Sequence, residues 1–111
     1  MSENQELRKW IVYMYTFPNM KRYIGITSHT LKERQGCNWR GYIQCPAVYN
    51  AYLKYGEENI IQTILVEDYM TEQRANELEI FYIALFKTNC KRYKDPEYGY
   101  NLTDGGDGSC G

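Results

Sequence analysis

The chain lacks a membrane segment. None of its apolar runs approaches the ~20 residues that span a bilayer as a helix. The opening Met-Ser-Glu-Asn-Gln-Glu is polar rather than leader-like, so a cytoplasmic protein with no membrane partner is expected. Cysteine occurs at four positions, Cys37, Cys45, Cys90 and Cys110, and no two of them form a C-x-x-C pair. In the cytoplasm they are expected as reduced thiols. Their spacing, with His29 as the single histidine, suits a zinc site poorly. An excess of one charge is missing as well. The net charge of −1 excludes a uniformly basic surface. No internal repeat is visible. The length, 111 residues, fits one small domain with a single core.

Tyrosine is abundant, with twelve copies. Each has an apolar body and a polar tip, so a Tyr-rich surface packs and hydrogen-bonds at once. The charge is also unevenly spread. Residues 1–55 hold eight Lys/Arg against three acids, a net +5, and residues 56–111 hold five against eleven, a net −6. Between positions 21 and 54, Lys21, Arg22, Lys32, Arg34, Arg40 and Lys54 face only Glu33. This reads either as a local phosphate-facing patch or as ordinary solvated surface.

Residues 10–25 organise the rest. The β-favouring runs Ile11–Thr16 and Arg22–Thr27 flank a turn carrying Pro18 and Asn19, which predicts a hairpin. Trp10, Val12 and Met14 share one face of the first strand, and Ile11, Tyr13 and Tyr15 the other. Tyr23 meets the second set across the hairpin, as ordinary aromatic packing or as a convergent set of phenols. Thr30 and Glu33 then form a possible capping box, with Gly36 as a stop, so a short helix carries Arg34. Trp39, Arg40 and Tyr42 follow in an irregular run. Such a run can stack on bases, although pinning the loop to the core is the plainer use.

Pro46 opens a second helix closed by Gly56, with Val48, Tyr49, Tyr52 and Leu53 as a core stripe. Residues 59–66 are mostly apolar, as a central strand covered on both faces would be. Thr71 caps a helix over 72–87, with Ala75, Leu78, Tyr82, Leu85 and Phe86 on one face. Glu79 falls at the edge of that arc. A carboxylate there is costly unless it pairs, reaches solvent or binds a cation. The tail from Tyr98 is Gly-rich, with Tyr100–Thr103 as a short extended segment.

Several pieces occur in a specific order. They are Ile11-Val-Tyr13, Tyr23-Ile-Gly25, Arg34, Lys54-Tyr-Gly-Glu-Glu-Asn59, Glu79-Ile-Phe-Tyr-Ile83 and Gly99-Tyr-Asn101-Leu-Thr-Asp-Gly-Gly106. The series resembles the GIY-YIG endonuclease family, most of all the nuclease domains of phage and intron-encoded homing-type enzymes. It divides the chain into a polar lead-in (1–9), a nuclease-like domain (10–104) and a Gly-rich tail or linker (105–111). The resemblance implies an α+β fold, a small three-stranded antiparallel sheet flanked by helices in the order β-β-α-α-β-α. It also implies a site acting on double-stranded DNA. Tyr13 and Tyr23 would line the scissile phosphate, with Tyr13 helping to deprotonate the attacking water. Arg34 would hold the phosphate, Glu79 would bind one Mg²⁺ or Mn²⁺ ion, and Asn101 would support the site. Lys21, Arg22, Lys32 and Arg40 would contact nucleic acid. The host cytoplasm or nucleoid would be the compartment if the gene is phage-borne.

The chemistry is coherent on general grounds. Phosphodiester hydrolysis needs a Lewis acid, a cation for developing charge and an acceptor for the water proton. A lone carboxylate leaves Mg²⁺ mostly water-ligated, which suits it. A Tyr base needs Arg34, Lys21 or Arg22, or the metal, to pull its pKa below the usual ~10. The chain departs from the family pattern in three respects. Ile11 replaces the first motif's Gly. Asn38 stands where members often carry a His one turn after the Arg. The separate sequence-reading domain that homing-type enzymes carry is not among these residues. Two alternatives follow: a non-catalytic DNA-binding or scaffold domain of the same fold, or a Tyr-rich protein-interaction module.

Overall fold

The computed structural model describes residues 6–88 and 99–101. Strand β1 (Arg8–Thr16) runs antiparallel to β2 (Arg22–Thr27), as the hairpin pattern predicts. Phe17 N–H bonds the Lys21 carbonyl at 3.0 Å, and the Asn19 side chain accepts from Lys21 N–H at 3.0 Å, closing the turn. The first two helices are α1 (Leu31–Gln35) and α2 (Pro46–Tyr55). They are followed by β3 (Ile61–Met70) and α3 (Glu72–Phe86). Thr30 and Glu33 form the capping box, and the Thr71 side chain caps α3. The whole is a small α+β domain with one three-stranded antiparallel sheet.

The sheet order is β2-β1-β3. The third strand is therefore an edge, not the expected centre. β1 takes the centre because it pairs along both sides, while Ile61 and Ile64 of β3 stay exposed. A bulge separates two pairings, Val12 with Val66 and Tyr13 with Ile64, so Leu65 has no partner opposite it. The first nine residues are not all lead-in, since Arg8 and Lys9 already belong to β1.

The two sheet faces carry separate cores. Ile11, Tyr13, Tyr15 and Tyr23 pack with Trp39, Tyr42 and Val48 on the face covered by α1 and α2. Val12 and Ile24 pack with Ile83 on the α3 face. This is the alternation expected of β1, extended through the molecule. The helix stripes are shifted from expectation. Leu53 and Leu85 are exposed, while Ala51 and Ile83 are buried in their place. Glu79 sits at the centre of the inward α3 stripe, between Ala75 and Ile83, rather than at its edge. Among the cysteines, Cys37 is free and exposed as expected, but Cys45 is disulfide-bonded. The tail from Leu102 onward, residues 105–111 included, lies outside the described residues.

Candidate active site

The tyrosine face is assembled by register. Tyr13 pairs with Gly25, and Tyr15 with Tyr23. A Cβ on Gly25 would run into the Tyr13 phenol. The glycine of Tyr23-Ile-Gly25 thus makes room for the ring of the neighbouring strand, which is a physical reason for the spacing of the two motifs. Tyr13 and Tyr15 ring centroids are 4.9 Å apart, and Tyr13 and Tyr23 6.4 Å apart.

A tight turn over Cys37–Tyr42 brings two further groups. Asn38 (φ 53°) and Trp39 (φ 59°) both adopt left-handed backbone, which costs about 1–3 kcal/mol each for such residues. The turn folds the chain back onto α1 so closely that a Cβ on Gly41 would overlap the Arg34 carbonyl. Trp39 is buried, stacks on Tyr52 at 5.2 Å and donates its indole N–H to Glu57 at 3.2 Å. It pins the loop to the core and is not free to stack on bases. Glu57 belongs to the Lys54–Asn59 motif, whose Asn59 also donates to the Tyr55 carbonyl at 2.8 Å. That motif therefore ties the end of α2 to the turn.

Tyr42 is the product of this turn. Its hydroxyl lies 2.6 Å from that of Tyr13 and 2.8 Å from that of Tyr15. Gln35, buried on α1, donates to the Tyr15 oxygen at 3.2 Å and to Gln62 Oε1 at 3.0 Å. Arg34 lays its guanidinium 4.1 Å over the Tyr42 ring and donates through Nη1 to the Gly41 carbonyl at 2.5 Å. Its other N–H groups bond to none of the described residues, and neither does the Tyr23 hydroxyl. The face thus carries a half-buried cation with hydrogen bonds to give, beside the buried phenol of Tyr23.

Burial dominates the phenols. It pushes the pKa values of Tyr13, Tyr15, Tyr23 and Tyr42 above the usual tyrosine value. Arg34 pulls Tyr13, Tyr15 and Tyr23 down without overcoming it. Burial thus outweighs Arg34 at Tyr13, Tyr15 and Tyr23, which favours the neutral phenols.

Glu79 is 4% exposed, and its charge adds to the rise at Tyr23, which puts it within electrostatic reach of that phenol. Among the described residues no three His, Cys, Asp or Glu side chains come together. The donor set fits a single hard cation held by one carboxylate with water completing the shell. It does not fit a site built of several protein ligands.

Asn101 has no exposed surface. Its amide accepts from Ile24 N–H at 2.8 Å and from the Thr88 hydroxyl at 2.6 Å, and donates to the Ile24 carbonyl at 2.9 Å. With Tyr100 N–H on the Arg22 carbonyl at 2.8 Å, it clamps the outer edge of β2. This is support for the site through the strand that carries Tyr23.

The basic residues divide. Lys32 and Arg40 are exposed around α1 and its turn. Lys21 lies 5.3 Å over the Tyr100 ring at the hairpin tip. Arg22 turns to the other face, 5.4 Å over Phe86, with a buried Nε that has no partner among the described residues. Strand alternation dictates this, since Tyr23 takes the tyrosine face. Sequence reasoning did not single out Tyr42 or Gln35 as part of the site. Tyr42 carried a faint signal as one more aromatic beside a base. Comparison with family models, curated proteins and solved structures returns no match, so the chemistry of the site rests on its residues.

Proposed function

We propose that the chain is a divalent-metal-dependent DNA endonuclease domain of the GIY-YIG type, phage-encoded or homing-type, hydrolysing phosphodiester bonds in double-stranded DNA. The observation that carries this reading is Arg34. A half-buried guanidinium stacks on Tyr42 beside Tyr23, with donors to spare and no carboxylate paired to it among the described residues. Planar donors of this kind suit a phosphate bidentately and accept charge as it develops. The ordered motifs supply the second support, with Tyr13, Tyr23 and Arg34 on one face and Glu79 within electrostatic reach of Tyr23.

In this reading Arg34 binds the non-bridging oxygens and Tyr23 orients the scissile phosphate. Asn101 and Gly25 hold the strand and ring geometry. Glu79 would hold one Mg²⁺ or Mn²⁺ ion, which when bound supplies Lewis acidity to the phosphoryl group. The reading is tested by nicking of supercoiled plasmid with Mg²⁺, with Mn²⁺ and with EDTA. Metal-dependent relaxed circles are expected. DNA binding without nicking under every metal condition would instead mark a non-catalytic DNA-binding domain. Neither binding nor nicking would leave a protein-interaction module.

A further inference from the structure

Arg34 meets the Cys37–Tyr42 turn at its backbone, at one nitrogen and at the face of its guanidinium. The turn passes so close to the end of α1 that a Cβ on Gly41 would meet the Arg34 carbonyl. The Gly41 carbonyl accepts from Arg34 Nη1 at 2.5 Å. The Tyr42 ring centroid lies 4.1 Å from Arg34 Cζ. That ring is itself fixed. Tyr42 has no exposed surface, and its hydroxyl is bonded to those of Tyr13 and Tyr15, whichever atom donates. Its ring meets those of Tyr15 and Tyr23 edge-on, at 80° and 83°. Trp39 packs beside it at 5.6 Å. A half-buried cation thus rests on an aromatic platform held by its neighbours. The turn reaches this place through left-handed backbone at Asn38 and Trp39. Such backbone persists only where its surroundings impose it. Here the Trp39–Tyr52 stack and the Trp39–Glu57 hydrogen bond do so.

We propose that Tyr42 and Gly41 are positioning residues, which fix the Arg34 guanidinium by its face and one corner before DNA arrives. The proposal rests on the nuclease reading. Arginine is long and rich in rotamers, and ordering such a side chain on binding is costly. Folding has already ordered Arg34. A donor set in place beforehand needs no reorganisation as charge develops on the phosphate. Nε and Nη2 bond to none of the described residues, so they stay available to the phosphate oxygens. Tyr42 acts through Arg34 and has no need to touch the DNA.

Substitutions in the full chain test this. Tyr42→Phe and Tyr42→Leu both lose the hydroxyl and differ in the ring, so the ratio between them reports the platform alone. Tyr42→Leu should show a nicking kcat ~10²-fold below that of Tyr42→Phe, the effect of a misplaced group. KM for plasmid should be alike in the two, because the Arg34 charge remains. The platform also has a spectroscopic signature, since protons above a ring face are shielded. In NMR spectra without DNA, the Arg34 Hδ protons should lie upfield of those of the exposed Arg74. They should keep that shift in Tyr42→Phe and lose it in Tyr42→Leu. Arg34→Lys keeps the charge but loses the planar fork, and should slow nicking nearly as much as Arg34→Ala. The wild-type shift and Arg34→Lys decide the matter if Tyr42→Leu fails to fold. Any of three results overturns the proposal while the nuclease reading stands. They are a Tyr42→Leu protein as fast as Tyr42→Phe, an Arg34→Lys protein as fast as wild type, and unshifted Arg34 protons in the wild type. A wild type that never nicks overturns both.

Discussion

Arg34 keeps its charge half inside the protein with a tyrosine ring beneath it. Its removal should therefore cost activity far more than stability. Arg34→Ala is expected to lower the nicking rate by about 10²–10³, the usual loss of one charge-stabilising donor, with far-UV circular dichroism intact. Near wild-type nicking would mean that another cation holds the phosphate. Gly25 makes the opposite trade. A methyl group there displaces the Tyr13 ring from Tyr42, so Gly25→Ala should destabilise the fold by about 1–3 kcal/mol in urea titrations, as overpacking does, and abolish nicking. Glu79→Gln removes a buried charge while keeping size and reach. Nicking should disappear and DNA binding hold or tighten, since one repulsive charge near the phosphate is gone. A Glu79→Gln protein that nicks normally ends the assignment of Glu79 to the metal.

At the scale of elements, left-handed backbone falls at the hairpin turn (Met20), at the turn after α1 and at the end of α3. Lys87 closes α3 in left-handed backbone (φ 54°), a position that favours glycine. Lys87→Gly, at an exposed side chain, should raise thermal stability by up to about 1 kcal/mol. A lower midpoint would show that the lysine side chain matters more than its backbone. The same physics governs what was legible beforehand. The hairpin, the Thr30–Glu33 cap and the two strand faces were legible because period-two patterning and capping chemistry are local. The edge position of β3 was not. An apolar run such as Ile-Ile-Gln-Thr-Ile-Leu-Val reads alike at a centre and at a lightly covered edge, and pairing is non-local. Tyr42 was hidden for a different reason. Its approach to Tyr13 depends on left-handed backbone at two successive residues, Asn38, which tolerates it, and Trp39, which gives no sign of it. Glu79 was placed one step off because the helix stripe centres on Ala75 and Ile83, not on the larger Leu85.

Across the whole molecule, charge and protonation set the working range. Of the bases near position 30, Arg22 faces α3, which leaves Lys21, Lys32, Arg34 and Arg40 to meet a backbone. Binding to a labelled duplex should be weak and poorly specific. Its log-log salt slope should be no steeper than about −4, at ~0.9 per phosphate. Tight, sequence-specific or salt-insensitive binding would contradict this. The four buried tyrosines make an alkaline limit. Their folded pKa values lie above the unfolded ~10, so stability is full below that pH and falls as pH rises beyond it. Ionisation of these four phenols, read from their ¹³Cζ shifts, should therefore come together with unfolding above about pH 10, and any of the four ionising in an intact fold would refute it. The Asn101 clamp has a consequence of another kind. Its partner Ile24 lies 77 residues earlier in the chain. On the ribosome, at ~5–20 residues per second, the hairpin therefore waits several seconds before its outer edge is closed. Until Asn101 emerges, β2 offers bare backbone to any neighbouring nascent strand. The newborn chain is most prone to self-association in that interval, and translational pausing before position 101 would lengthen it.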